Sequence, residues 1–89
     1  MEFTWDEKKR LHTITDRKFD FLDVPSFFDG RDAVHRLSPR HGEDRWKTMV
    51  ENESVHFTVV WLWRGDVRHI ISTRRDHAKE IRGNRALHG

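Results

Sequence analysis

Val55-His56-Phe57-Thr58-Val59-Val60-Trp61-Leu62-Trp63-Arg64-Gly65-Asp66-Val67-Arg68-His69-Ile70-Ile71-Ser72-Thr73-Arg74 is the stretch that decides the fold. It reads as two strands, Val55 to Trp63 and Val67 to Arg74, broken at Arg64-Gly65-Asp66. Taken as a three-residue hairpin loop, the break sets one register. Val55, Phe57, Val59, Trp61, Trp63, Val67, Ile71 and Thr73, with His69 among them, then face a core. The other side carries His56, Thr58, Arg68, Ser72 and Arg74 around Val60, Leu62 and Ile70. A two-residue loop would slide the pairing by one and put Arg68 opposite Trp63. The cleaner segregation favours three residues. The mixed, basic side can meet a phosphate, and function is expected there.

Before the hairpin, Glu2 to Trp5 alternates as a short first strand, and Asp6 stands where a helix N-cap would, opening a helix of about two turns. Phe21, Val24 and Phe28 recur as a helical stripe whose first turn admits Pro25 and which Gly30 closes. Arg31 to Leu37 and Arg45 to Glu51 read as strands, the second with Trp46, Thr48 and Val50 on one side. The polar loop Ser38-Pro39-Arg40-His41-Gly42-Glu43-Asp44 separates them. After Arg74 a capping-box pattern, Thr73-Arg74-Arg75-Asp76, opens a last helix bearing Ala78 and Ile81 and ending at Gly83. The expected fold is α+β: an antiparallel sheet of about four to five strands, helices packed on one face and the other face open.

At 89 residues the chain makes one small domain, spanning 1–89. Without cysteine there is no disulfide scaffold, thiolate zinc site or cysteine nucleophile. The first residues lack an apolar signal region and no run approaches a membrane span, so a cytoplasmic protein is expected. The net charge of +2 divides unevenly along the chain. Residues 1–30 carry −2, residues 31–63 carry 0 and residues 64–89 carry +4. Such asymmetry suggests a polyanion or an acidic partner; the plain alternative is a solvated basic helix.

Arg64, Arg68 and Arg74 on the hairpin, Arg75 after it, and Arg40 and Arg45 around the polar loop can converge on one site. Guanidinium suits phosphate because its planar fork makes two charge-assisted hydrogen bonds and keeps its charge. Seven histidines lie at no zinc spacing, and His12, His41 and His56 are better read as proton carriers. Exposed tryptophans would stack on bases, but alternation assigns Trp61 and Trp63 to the core side. Asn52-Glu53-Ser54 and Arg64-Gly65-Asp66 match a glycosylation triplet and an adhesion tripeptide; both are explained as turns.

Trp5-Asp6 followed by Lys9, then Phe21, Val24 and Phe28, then Arg45-Trp46, and most strongly Arg64-Gly65-Asp66 and Arg68-His69-Ile70-Ile71-Ser72-Thr73-Arg74-Arg75, together resemble the BrnT family of bacterial type II toxins. Glu80 falls where the family's last helix carries a glutamate. The chain departs from the family pattern at Asp16-Arg17-Lys18-Phe19, where Lys-His-Gly-Val is usual, and at Asn84, where tyrosine is common. The family histidine's role is therefore not carried over. The resemblance implies a RelE-like fold and a metal-independent, cofactor-free endoribonuclease that inhibits translation, on the ribosome or off it. It also implies a BrnA-like antitoxin, in a complex with two copies of each, which carries the operator-binding domain. Such chemistry needs a base, an acid and cations for the phosphorane. The residues it points to are Lys9, Arg45, Arg64, Arg74, His56 and Glu80 for catalysis, and Arg40, His41, Arg68, Ser72 and Arg75 for RNA. The alternatives are a non-catalytic RNA-binding module and a co-repressor subunit of the toxin–antitoxin complex.

Overall fold

A computed structural model describes residues 2–76. Phe3–Trp5 forms β1, and Asp6 ends it by N-capping α1, Glu7–Arg17, its carboxylate accepting from the Lys8 and Lys9 amides at 2.9 and 3.2 Å. The 11 residues make about three turns, one more than expected. Lys18 closes the helix in the left-handed region at φ 56°, its amide donating to the Ile14 carbonyl at 3.1 Å. Asp20 caps the next element, Phe21–Phe28, which is a 3₁₀ helix rather than an α-helix. Three residues per turn bury Phe21, Val24 and Phe27 in a line and leave Phe28 only half-buried, which displaces the stripe read at α-helical spacing. Asp20 also takes Arg10 through two oxygens, at 2.8 and 3.1 Å, and so ties α1 to the 3₁₀ helix.

The remaining strands are β2, Ala33–Leu37; β3, Arg45–Asn52; β4, Val55–Arg64; and β5, Val67–Arg75. They form the expected antiparallel meander, and the sheet order is β1-β5-β4-β3-β2. β1, however, joins β5 in parallel, with Phe3 opposite Arg68, so the five-stranded sheet is mixed rather than antiparallel. Three alternating residues carry no direction of their own, and no tight turn links β1 to a partner so distant in sequence. The α+β class holds.

Turn chemistry explains the largest departure in register. Asn52 pairs with Val55 around Glu53-Ser54, both at positive φ (50° and 67°), the pattern of a type I′ turn. Arg64 pairs with Val67 around Gly65-Asp66, with Gly65 at φ 64°, so the second hairpin has a two-residue loop and Arg68 faces Trp63. A glycine at the first loop position supplies the primed turn that matches strand twist, and this outweighs the segregation of side chains. Arg68 and Ile70 therefore lie on the core side, whereas Val67 and His69 lie on the other. A β-bulge then intervenes: Trp61 pairs with Ile70 and Val60 with Ser72, leaving Ile71 as the extra residue. Past it the expected sides return, with Thr73 buried opposite Val59 and with Ser72 and Arg74 on the second face. Arg75 is the last residue of β5, opposite Phe57, rather than the start of a helix. The expected last helix, with Ala78, Glu80, Ile81 and Asn84, lies outside the described residues.

The core is Phe21, Val24 and Phe27 of the 3₁₀ helix against Val50, Phe57, Val59, Trp61 and Ile70 of the sheet. Trp46, Thr48 and Val50 share a side as expected, with Thr48 and Val50 buried. Trp61 is buried, but Trp63, at the sheet's end, is 45% exposed. α1 lies along β5 beyond the point where β1 stops: Lys9 Nζ donates to the Ile71 carbonyl at 2.8 Å and Arg17 to the Thr73 carbonyl at 2.9 Å. Among the described residues no helix is long and apolar enough to cross a membrane.

Candidate functional site

The second face of the sheet reads as rows of side chains across the strands. Lys47, Val60 and Ser72 make one row. Toward the β4–β5 turn lies the row of Arg45, Leu62 and His69, continued by Thr4 of β1; away from it lie Met49, Thr58 and Arg74, then Glu51 and His56. A cleft of about 200 Å³ opens on this face, lined by Lys9, Ser38, Arg40, Arg45, Lys47, Val60, Ile71 and Ser72. Four cations and no carboxylate line it, so its field favours an anion. The bulge positions one of these cations, because the carbonyl of Ile71 accepts from Lys9 Nζ at 2.8 Å. Glu43 orients another, accepting from Arg45 Nε at 3.1 Å.

Lys9, Arg40, Arg45 and Ser72, drawn from helix, loop and two strands, are thus brought together. Arg64 is exposed two residues past Leu62 on the same face, and Arg74 is half-buried one row from Ser72. His41 is exposed at the tip of the polar loop, in the left-handed region at φ 52°. His56 stands apart: it is 6% exposed, its nearest carboxylate is Glu51 at 3.9 Å, and it lies six residues from Leu62 along β4, about 20 Å at ~3.3 Å per residue. One phosphate cannot touch both His56 and Arg45. Arg75 projects with Phe57 from the core-facing side of the sheet, at its margin.

Arg68 lies on the core side, its guanidinium carbon 4.4 Å from the Phe28 ring centre, 4.8 Å from Trp61, 4.9 Å from Trp63 and 5.9 Å from Phe3. Burial lowers its pKa, yet a guanidinium stays charged, and ring faces meet that charge. The same two-residue loop brings His69 out to the second face, where Nδ1 meets Thr4 Oγ1 at 2.9 Å. Burial, then the charges of Arg64 and Lys9, lower its pKa against an opposing pull from Asp6 and Glu43, so the imidazole is neutral near pH 7.

Two residues of this face escaped the sequence reading. Lys47 was legible, since it lies two residues from Arg45 on the same strand and so on the same side. His69 was hidden by the loop length, which assigned it to the core. Among the described residues no group of three or more metal-ligating side chains is placed to hold an ion.

A small α+β protein with an anion-accepting cleft on one face of a mixed sheet is the class that fold and site define. Residues 5–80 match the family model of BrnT, the ribonuclease toxin of type II toxin–antitoxin systems, and the chain belongs to that family. No curated protein matches the chain in sequence.

Proposed function

We propose that the chain is a RelE-like endoribonuclease toxin that cleaves RNA through the substrate's own 2′-hydroxyl, without a metal ion, and so inhibits translation in the cytoplasm. The observation that carries this reading is the cleft in which Lys9, Arg40, Arg45 and Lys47 converge without a carboxylate among the lining residues. Four cations, Lys9 and Arg45 held in place by Ile71 and Glu43, stabilise a phosphorane more than a ground-state diester, because the added charge develops among them. His69, held neutral, takes the 2′-hydroxyl proton as that oxygen attacks phosphorus. The bond from phosphorus to the 5′-oxygen breaks, and the Lys9 ammonium protonates the leaving oxygen. A 2′,3′-cyclic phosphate and a 5′-hydroxyl result, and solvent returns the proton from His69 to Lys9. Ser72 donates to a phosphate oxygen, and Arg64 and Arg74 hold the flanking phosphates along the face.

A type II toxin implies an antitoxin. We infer a BrnA-like partner that binds two copies of this chain with two of its own, covers the cleft and carries the contacts to operator DNA that repress the operon. Cleavage proceeds on free RNA or on the ribosome.

The test is incubation of antitoxin-free protein with end-labelled RNA, with and without EDTA, beside Lys9→Ala, Arg45→Ala and His69→Ala. Cleavage that survives EDTA, leaves cyclic phosphate ends and falls about 100-fold or more in each variant supports the reading. Intact RNA with and without ribosomes refutes it. Wild-type rates in Arg45→Ala and His69→Ala refute the residue assignment.

A further inference from the structure

Beside the cleft is a wider hollow of about 660 Å³, walled by Leu37, Trp46, Leu62 and Trp63 and rimmed by Glu43, Asp44 and Arg64. We propose that this hollow holds one unpaired base of the bound RNA and prefers guanine, a reading that rests on the ribonuclease function above and assigns that function a sequence preference.

Continuity with the cleft identifies the occupant as RNA. Arg45 lines the cleft, and its cross-strand partner Leu62 lines the hollow from the same face with Arg64; Glu43, which holds Arg45, lines the hollow too, and Leu37, Trp46 and Trp63 close it from the other side around the sheet's end. A strand whose phosphate lies in the cleft therefore delivers its neighbouring base to the hollow, with Arg64 at the rim for the next phosphate. The volume lies in the range of small-molecule sites and admits a nucleoside.

The apolar wall is pre-organised for stacking. Trp63 is 45% exposed, yet its ring is fixed from behind, edge-on to Trp61 at 5.2 Å and 89° and 4.9 Å from the Arg68 guanidinium. An exposed tryptophan held in one orientation is a base platform that loses little entropy on binding. Arg68 thereby acts on RNA as a positioning residue through Trp63, its cross-strand partner on the same side of the sheet.

The acidic rim supplies the preference. Glu43 is occupied by Arg45 at 3.1 Å, whereas Asp44 is exposed. A carboxylate only accepts hydrogen bonds, and guanine alone presents two donors, N1–H and N2–H, side by side on its Watson–Crick edge. Adenine and cytosine offer one amino group beside an acceptor that a carboxylate repels, and uracil one N–H between two acceptors.

The experiment measures binding of four labelled 2′-O-methyl hexanucleotides, which the proposed chemistry cannot cleave, identical except at one position, by fluorescence anisotropy. The proteins are the purified chain, Asp44→Asn, Trp63→Ala and Lys47→Ala, each checked for an intact thermal transition. The guanine oligonucleotide binds about tenfold more tightly than the others. Asp44→Asn removes that preference, Trp63→Ala weakens all four about tenfold, and Lys47→Ala weakens all four while keeping the preference. Equal binding of the four, or an undiminished preference in Asp44→Asn, overturns the proposal and leaves the hollow to a protein partner. Preference without cleavage of ordinary RNA sustains the base site while refuting the ribonuclease; cleavage without preference does the reverse.

Discussion

Arg68 shows how a residue's type and its position can point to different roles. An arginine in a basic strand reads as a phosphate ligand, but the hairpin register places it among Phe3, Phe28, Trp61 and Trp63. Arg68→Ala is expected to cost about 2–3 kcal/mol in urea unfolding, from lost ring contacts and stem packing, whereas Arg64→Ala, at an exposed position, leaves stability within about 0.5 kcal/mol. His35 and His69 carry a pH dependence. Burial is the first cause lowering each below the ordinary 6.5, aided at His35 by Arg68 and at His69 by Arg64 and Lys9. With the folded-state pKa below the unfolded one, the unfolded chain binds more protons in the window between them. Stability from these groups is thus complete above 6.5 and is lost as the pH falls below it. The calorimetric melting temperature should decline through that window before the carboxylates titrate, and His35→Gln combined with His69→Gln should flatten the decline.

At the scale of elements, turns and a bulge decide which side chains share a face. Glu53-Ser54 holds a type I′ turn with two non-glycine residues at positive φ. Replacing the pair with Asn-Gly should stabilise the fold by about 0.5–1 kcal/mol, read from the midpoint of chemical denaturation at unchanged m. The bulge at Ile71 permits a sharper test. Deleting Ile71 restores regular alternation and keeps Ser72, Thr73 and Arg74 on their sides, so the fold survives. The deletion removes the carbonyl that Lys9 Nζ meets, and RNA cleavage should fall about tenfold or more as Lys9 loses its position. Full activity in a folded deletion variant would separate the bulge from function.

At the scale of the molecule, the RNA binding proposed for the cationic cleft would depend on salt. Each cation that neutralises a phosphate on single-stranded RNA contributes about −0.7 to the slope of log K against log salt. Lys9, Arg40, Arg45 and Lys47 together give a slope of about −2 to −3, the lower figure reflecting the hold of Glu43 on Arg45. An anisotropy titration across a sodium chloride series should give that slope, and Lys47→Ala should flatten it by about 0.7. Much of this architecture was legible in the sequence, because it depends on neighbours along the chain. The period-2 runs of β3 and β4, the cap at Asp6, the basic face and the family motif around Arg68 to Arg75 are all local signals. The sequence by itself thus determined the α+β class, the meander and the family, and it singled out Lys9, Arg40, Arg45 and Ser72, which the fold brings to one cleft. Only the tertiary structure decided the parallel entry of β1, the 3₁₀ twist that buries Phe27 ahead of Phe28, and the exchange of Arg68 for His69 between faces. Those outcomes turn on a pairing distant in sequence, on three rather than 3.6 residues per turn, and on one residue of loop length, and a one-residue slip in a strand changes the face of every side chain that follows.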